Sequence, residues 1–336
     1  MKLKIDDMKK LALVICLTLS GQMLFAQQIS VKVHGGTDSV VRISYPVEGF
    51  HYTYWDNGKS EKYDGSTALT FENTLKSPGF LFLVNNGKPV KVFAEPEKDL
   101  EIDISYSGKS RVVKVKGANA EGIELLNAGV RPFYQGLAYE YLKKDSVLVN
   151  LNRAISADLR KAIVPYDSLL KLKKISSGFY RAVERDIRCC YASVNAAVVF
   201  LDYNRLFLNV KHPLFKKTFP AEFEAGWPDV YKQFPLSDQS AALAEDFYFY
   251  AKDYMVWYKL LYLEKKAGIY KAPANDDENL RRNYEGFTRL FDGKVREFLL
   301  ARLIFDGASE MRYQKELVIL YGRLQRHIPI VNLRFF

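Results

Sequence analysis

The sequence predicts an α+β protein in which an antiparallel β-sandwich-like domain, residues 27–117, precedes an all-helical domain, residues 118–336. Two observations predict this division. Before Gly117, short apolar runs alternate with polar residues at a period of two and are separated by turn residues, as in strands with one face in a core. After Gly117, apolar residues recur at steps of three and four, which is the period of an amphipathic helix.

Residues 1–26 have the pattern of a secretory signal peptide. A pair of lysines precedes an apolar run at 11–25, and Ala26 provides a small residue at the cleavage site. The run is short for a membrane-spanning helix. A lipid anchor would use Cys16, but no small residue precedes this cysteine, so the lipoprotein interpretation is disfavoured. We expect an exported protein that is periplasmic or associated with the outer membrane.

The composition indicates a folded, basic protein. Hydrophobic residues make up 48% and aromatic residues 14% of the chain, which argues against disorder. The formal net charge is +10; four lysines and two aspartates in residues 1–26 account for +2 of it, which leaves +8 for the mature chain. This balance favours contact with anionic partners such as lipid headgroups at a membrane surface or acidic glycans. Nucleic acid is not expected as a partner in this compartment.

About eight short strands are predicted in the first domain. The strongest hairpin signal is Asn86-Gly87 between two apolar runs, because both residues tolerate the positive φ angles of a tight turn. Closely spaced short strands of this kind are typical of a sandwich or a barrel. The predicted strands cover residues 29–33, 40–45, 52–55, 68–71, 80–84, 90–93, 100–105 and 113–116.

A long helix is predicted to begin at a Ser177 cap and to contain the two cysteines of the mature chain, Cys189 and Cys190. Adjacent residues on a helix point about 100° apart, so a disulfide between them would need a distorted backbone. Cys190 lies on the apolar stripe of the helix. We therefore interpret both thiols as buried and structural, with a redox or metal-binding role as the alternative.

A second clear helix is rich in aromatic residues. Its predicted core face, at steps of three and four, is formed by Leu243, Phe247, Tyr250, Tyr254, Trp257 and Leu261. Tyr248, Phe249 and Tyr258 lie off this stripe. They face either another helix or a partner or groove, and in the second case they are candidates for a surface that contacts a partner or a ligand, since aromatic rings offer flat faces and polar edges.

No catalytic, cofactor or metal motif is present. The four histidines do not share the spacing of zinc ligands, and no nucleophile elbow, phosphate loop or dinucleotide fingerprint occurs. The acidic run Asp276-Asp277-Glu278 is explained by the favourable position of carboxylates at a helix N-terminus. We therefore expect no cofactor, no metal and no catalytic residue in this chain.

Four stretches suggest a family. They are Pro-Gly-Phe at 78–80, FAEPEKDLEIDI at 93–104, VKGANAE at 115–121 and KVREFLL at 294–300. In these stretches and in the order of its parts, the chain resembles the non-catalytic N-terminal region of TlpA/ResA-like envelope thiol–disulfide oxidoreductases. The resemblance implies the order of parts found in that family, in which a signal peptide, a small β-domain and a helical segment precede a thioredoxin domain.

The redox centre of that family, Trp-Cys-x-x-Cys, is missing, because Trp55, Trp227 and Trp257 have no neighbouring cysteine. The chain ends at Phe336, about where a thioredoxin domain would begin. We therefore expect an exported, non-catalytic binding or accessory module whose partner is an envelope protein or a glycan. Two alternatives stay open: a truncated or split thiol–disulfide oxidoreductase of this class, and a glycan-binding envelope protein.

Overall fold

The computed structural model describes residues 28–47, 49–50, 58–65, 67–108, 110–129, 131–209, 211, 218–309 and 314–327. The predicted signal peptide, with Cys16, and the predicted strand at 52–55, with Trp55, lie outside the described residues. Among the helices in these ranges, none combines the length and the apolar composition needed to cross a bilayer.

The predicted α+β division is confirmed, with strands first and helices after them. Each predicted strand within the described residues overlaps an observed one, and an unpredicted strand, β3, is added. The strands are β1 (Gln28–His34), β2 (Val40–Ser44), β3 (Gly58–Lys62), β4 (Leu69–Glu72), β5 (Gly79–Asn85), β6 (Lys88–Ala94), β7 (Leu100–Ser107) and β8 (Ser110–Gly117).

The strands form two four-stranded sheets, with the orders β4-β1-β7-β8 and β3-β2-β5-β6. All neighbouring pairs are antiparallel except β1 and β7, which run parallel with Val31 opposite Ile102. A parallel pair needs a long crossover connection, and here the chain forms the whole second sheet between these two strands. Buried side chains from both sheets, among them Ile29, Ile43 and Leu83, share one hydrophobic core, as in a sandwich.

The helices follow from residue 120 onward. The helix Phe247–Asp253 continues into a ten-residue π-helix and a last α-helical turn at Glu264–Lys266. A shorter π-helical segment, Asn204–Leu208, follows the helix Ser177–Tyr203. The helices are α1 (Ala120–Asn127), α2 (Tyr134–Lys144), α3 (Leu148–Lys171), α4 (Ser177–Tyr203), α5 (Ala221–Val230), α6 (Phe247–Asp253), the π-helix (Tyr254–Leu263), α7 (Asp276–Leu290), α8 (Gly293–Ser309) and α9 (Gln314–His327).

Helix α4 connects the two halves of the protein. Phe179 and Val183, near its start, belong to the core of the sandwich, whereas Val198 and Phe200, near its end, belong to the core of the helical part. At 1.5 Å per residue the helix is about 40 Å long. The change from strands to helices therefore falls at Gly117, whereas the boundary between the two hydrophobic cores falls in the middle of α4.

The start of α4 is fixed by contacts with the sandwich. The cap is Ser176, one residue before the predicted Ser177, and its hydroxyl accepts a hydrogen bond of 3.1 Å from the backbone amide of Phe179. The same hydroxyl donates to Glu95 at 2.5 Å, and the Ser176 amide donates to the Asn119 side chain at 2.6 Å. The hydrogen bonds that Ser176 donates to Glu95 and Asn119 therefore connect the loops of the sandwich to the start of the long helix.

Candidate functional site

The π-helix changes which residues of the aromatic helix face the core. Its hydrogen bonds join residues i and i+5, so residues five apart come close to one face. Tyr250, Met255 and Leu260 follow this step and are all buried. The predicted steps of three and four hold for Phe247 and Tyr250 but not beyond, since Tyr254 is only half-buried. Long π-helices are rare, and π-helical turns are frequent at functional sites.

Two of the predicted surface residues lie on the α6 part of this element. Tyr248 is only 2% exposed; its ring lies 6.1 Å from that of Phe287 and 5.3 Å from the guanidinium of Arg302. Because α7 and α8 cover it, Tyr248 is not part of a contact surface. Phe249 is half-buried and packs edge-on against the more exposed Phe133, with 5.2 Å between ring centroids.

Tyr258, the third predicted surface residue, is the middle of a row of three rings, stacked on Tyr262 and tilted by 34° to Tyr254. Its centroid lies 5.9 Å from that of Tyr254 and 6.0 Å from that of Tyr262. We call Tyr254, Tyr258 and Tyr262 the tyrosine ladder. Trp227 and Tyr231 support the middle ring from behind, each with 5.7 Å between centroids. The first two ladder rings are half-buried and therefore keep part of their surface in solvent.

Lysines surround the tyrosine ladder. The Lys259 ammonium lies 5.3 and 5.6 Å from the centroids of the first two rings, within the range of cation–π contacts. Burial raises the pKa of Tyr258, and the positive charges of Lys259, Lys266 and Lys232 partly offset this rise. Lys266 also forms an ion pair of 2.5 Å with Glu224. Lys232 is likewise paired with Asp229 at 2.7 Å, so the ladder presents aromatic faces beside charges of both signs, with Lys259 over its first two rings.

Cys189 and Cys190 are fully buried in α4 and are not joined in a disulfide. Burial raises the pKa of the Cys189 thiol well above its ordinary value and that of Cys190 to about 12. Thiol–disulfide exchange requires an accessible thiolate. The structure therefore places both cysteines where the reactive form is disfavoured and where a disulfide substrate has no access.

A buried ion network joins the sandwich to the helical part. The ammonium of Lys91, on β6, forms ion pairs with Asp186 on α4 and, at 2.7 Å, with Glu245 just before α6. Arg131 pairs with Asp246 at 3.0 Å beside them. These groups satisfy one another's charges across the junction, so we interpret the network as a structural link between the two cores.

A second buried polar pair lies within the helical core. The hydroxyl of Tyr134, at the start of α2, donates a hydrogen bond of 2.6 Å to the carboxylate of Asp253, at the end of α6. Burial raises the pKa of Asp253 to about 7, although the hydrogen bond from Tyr134 opposes the rise. This carboxyl group therefore changes its charge near neutral pH while it remains inside the fold.

A cavity of about 390 Å³ lies between α7, α8 and α9. Sequence reasoning missed it, because its arginines stand far apart in the chain and only the packing of the three helices brings them together. We call it the arginine cavity. It is lined by Tyr284, Glu285, Thr288, Arg289, Arg296, Leu300 and Arg323.

Within the described ranges, no group of three or more His, Cys, Asp and Glu side chains is placed to hold a metal ion. Comparisons with known proteins add no assignment to these sites. No protein-family model matches the chain, and neither a curated protein nor a solved structure matches it at a significant level.

Proposed function

We propose that this protein is an exported, non-catalytic binding module of the cell envelope and that the tyrosine ladder is its main contact surface. The observation that carries the proposal is the position of Tyr258: a partly exposed ring that lies between two others on a π-helix and is accompanied by Lys259. Export follows from the signal-peptide pattern of residues 1–26. The module corresponds, in this proposal, to the region that precedes a thioredoxin domain in TlpA/ResA-like enzymes.

The chemistry of the ladder favours an acidic glycan as the ligand. Sugar rings stack on flat aromatic faces, and phenol hydroxyls bond to sugar hydroxyls. The ammonium of Lys259, over the first two rings, attracts carboxylate or sulfate groups on the glycan, and the net charge of the whole chain supports the same preference. Rigid rings held by Trp227 and Tyr231 lose little conformational freedom when a ligand binds, which favours affinity.

The alternative of a truncated or split thiol–disulfide oxidoreductase gains no support from the thiols of this chain. Cys189 and Cys190 are buried, and the raised pKa of each disfavours the thiolate. A redox function of a longer protein would therefore have to use cysteines outside this sequence.

Retention on immobilised polysaccharides tests the proposal. We would compare the wild-type protein with Tyr258→Ala and Lys259→Ala on alginate, polygalacturonate and chondroitin sulfate, with neutral dextran as the reference. Tyr139→Ala is the matched aromatic control, because Tyr139 is 47% exposed on α2, in a different helix. We expect the wild type to bind at least one acidic polymer more strongly than dextran, and both ladder variants to lose most of that binding.

Two further outcomes are informative. Cross-linking that captures an envelope protein, with capture lost in Tyr258→Ala and Lys259→Ala but kept in Tyr139→Ala, would support the binding module with a protein as its partner. If the folded wild type binds no acidic polymer and the ladder variants change neither polymer retention nor cross-linking, the ladder is not a binding surface and the proposal fails.

A further inference from the structure

We propose that the arginine cavity binds a phosphate or sulfate ester, with the oxyanion held by its arginines and the organic part against Tyr284 and Leu300. This site is separate from the tyrosine ladder and does not depend on it. Three helices supply the lining residues, so the cavity is a product of the tertiary fold. Its volume of about 390 Å³ lies in the range of pockets for small organic ligands.

The carboxylates near two of the arginines compensate their charge only weakly. Arg289 lies 3.6 Å from Glu264, but Glu264 is already paired with Arg282 at 2.6 Å. Arg296 lies 4.0 Å from Asp292, whose side chain is fully exposed. Ion pairs this long or this exposed contribute little. Both guanidinium groups therefore keep hydrogen-bonding capacity for an incoming anion.

The third arginine strengthens the positive character of the cavity. Burial raises the pKa of Tyr284, and the charges of Arg323 and Arg296, which share its lining, partly offset this rise. Glu285 is the one carboxylate among the described lining residues, so their formal charge is three positive against one negative.

Arginine and an apolar wall together define the ligand class. The planar guanidinium binds tetrahedral oxyanions through two parallel hydrogen bonds. Several arginines together match a ligand with the double negative charge of a phosphate ester better than a ligand with one carboxylate group. Tyr284 and Leu300 are almost fully buried and provide an apolar wall; Thr288, whose hydroxyl donates a hydrogen bond of 2.8 Å to the Tyr284 carbonyl, belongs to the same lining. A bare inorganic ion would leave this wall unused, so the structure favours an ester with a ring or an alkyl group.

The same phosphate ester chemistry occurs in soluble metabolites and in the headgroups of anionic lipids. Soluble probes and vesicles distinguish these sources. Isothermal titration calorimetry would measure the binding of phenyl phosphate, phenyl sulfate and the neutral phenyl β-glucoside to the purified protein. Sedimentation with phosphatidylcholine vesicles, with and without phosphatidic acid, would measure binding to a lipid phosphate.

Variants of the lining residues make the test specific. We expect Arg296→Ala and Arg323→Ala to weaken the binding of phenyl phosphate at least about tenfold, which corresponds to about 1.4 kcal/mol. Arg326→Ala is the matched control, because Arg326 lies on α9 one turn from Arg323, carries the same charge and does not line the cavity. Glu285→Gln should have the opposite effect and strengthen binding, since it removes a carboxylate from the lining.

Circular dichroism must first show that each variant is folded, so that a loss of binding reports on the site. Binding of a soluble ester, or of phosphatidic acid vesicles alone, that is lost in Arg296→Ala and Arg323→Ala supports the site and identifies its source. The proposal is overturned if the wild type binds neither the soluble esters nor the phosphatidic acid vesicles, or if the glucoside binds as well as phenyl phosphate. It is also overturned if Arg326→Ala weakens binding as much as Arg323→Ala.

Discussion

Lys91 and Asp186 lie on opposite sides of the junction between the sandwich and the helical part, and their side chains form a buried ion pair. Burial lowers the pKa of Lys91, but the carboxylates of Asp186 and Glu245 more than offset this, and the net effect is a raised pKa. The ammonium also lies 4.2 Å from the ring centroid of Phe80. The charged form of Lys91 is therefore held by several partners at once.

We expect Lys91→Met to destabilise the protein by about 3–5 kcal/mol, because removing one partner of a buried pair leaves the other charge uncompensated. Urea denaturation monitored by circular dichroism measures this change. Lys116→Met is the control: Lys116 pairs with Glu101 at 3.3 Å, but both side chains are largely exposed, so its loss should cost less than about 1 kcal/mol. Similar effects of the two substitutions would contradict the structural role of the Lys91 network.

The buried carboxyl group of Asp253 predicts a pH-dependent stability. Its pKa is raised from 3.8 to about 7 in the folded protein. Between these two values the folded state keeps the proton and the unfolded state releases it, so stability falls as the pH rises through this window. Above the window the loss is complete, and this group causes no further change with pH.

Asp253→Asn removes this titration. We expect the wild type to lose stability relative to the asparagine variant by at most about 1.4 kcal/mol per pH unit across the window, as measured by urea denaturation at a series of pH values. Tyr134→Phe removes the hydrogen bond of 2.6 Å that favours the ionised carboxyl. It should raise the pKa of Asp253 further, so that the pH range in which stability falls extends to higher pH. A constant difference between wild type and Asp253→Asn would show that Asp253 is not buried as described.

The position of Cys189 and Cys190 predicts their reactivity. In a Cys16→Ser background, we expect a thiol-specific disulfide reagent to modify neither cysteine of the folded protein at pH 8, because burial both blocks access and disfavours the thiolate. Guanidinium should expose both. Lys161→Cys, at an exposed position of α3, is the positive control, and labelling of the native cysteines at the rate of this control would revive the redox alternative.

Local patterns predicted most of the fold and failed where tertiary structure decides. The alternation of apolar residues located β1 and β7, which bury alternate side chains, and the Asn-Gly turn between two apolar runs located β5 and β6. Alternation could not locate β5, because nearly all of its side chains are buried. It missed β3, whose residues Gly58–Lys62 are polar and mostly exposed, since this edge strand is held by its pairing with β2. The pattern also left open whether Tyr248 faces another helix or a partner, because it describes one helix and contains no information about the helices that cover it.

The two candidate sites differ in how far the sequence could reveal them. The aromatic density around Tyr258 was visible, but the support of its ring by Trp227 and Tyr231 depends on tertiary packing, which leaves no simple trace in the sequence. The arginine cavity left no local signal at all, since Arg289, Arg296 and Arg323 acquire a common setting only when α7, α8 and α9 pack. Site prediction therefore failed where the lining comes from several elements.

The last prediction concerns the contact between α1 and the start of α4. A Cβ atom added to Gly122 would lie 2.5 Å from the Phe179 ring and 2.6 Å from the Ile175 side chain. Both neighbours are buried in the core of the sandwich, and cannot move aside without disturbing it. We therefore expect Gly122→Ala to destabilise the protein by about 1–3 kcal/mol in urea denaturation, despite the higher helix propensity of alanine.

Gly136, on α2, provides the matched comparison, because no described atom lies within 4 Å of the Cβ position there. Gly136→Ala should be neutral or stabilising by up to about 1 kcal/mol, as expected for a helical glycine without a packing role. If both substitutions had the same effect, helix propensity alone would explain them. Opposite signs would show that α1 is held against α4 by close packing, and that Gly122 is required because only hydrogen fits between the two helices.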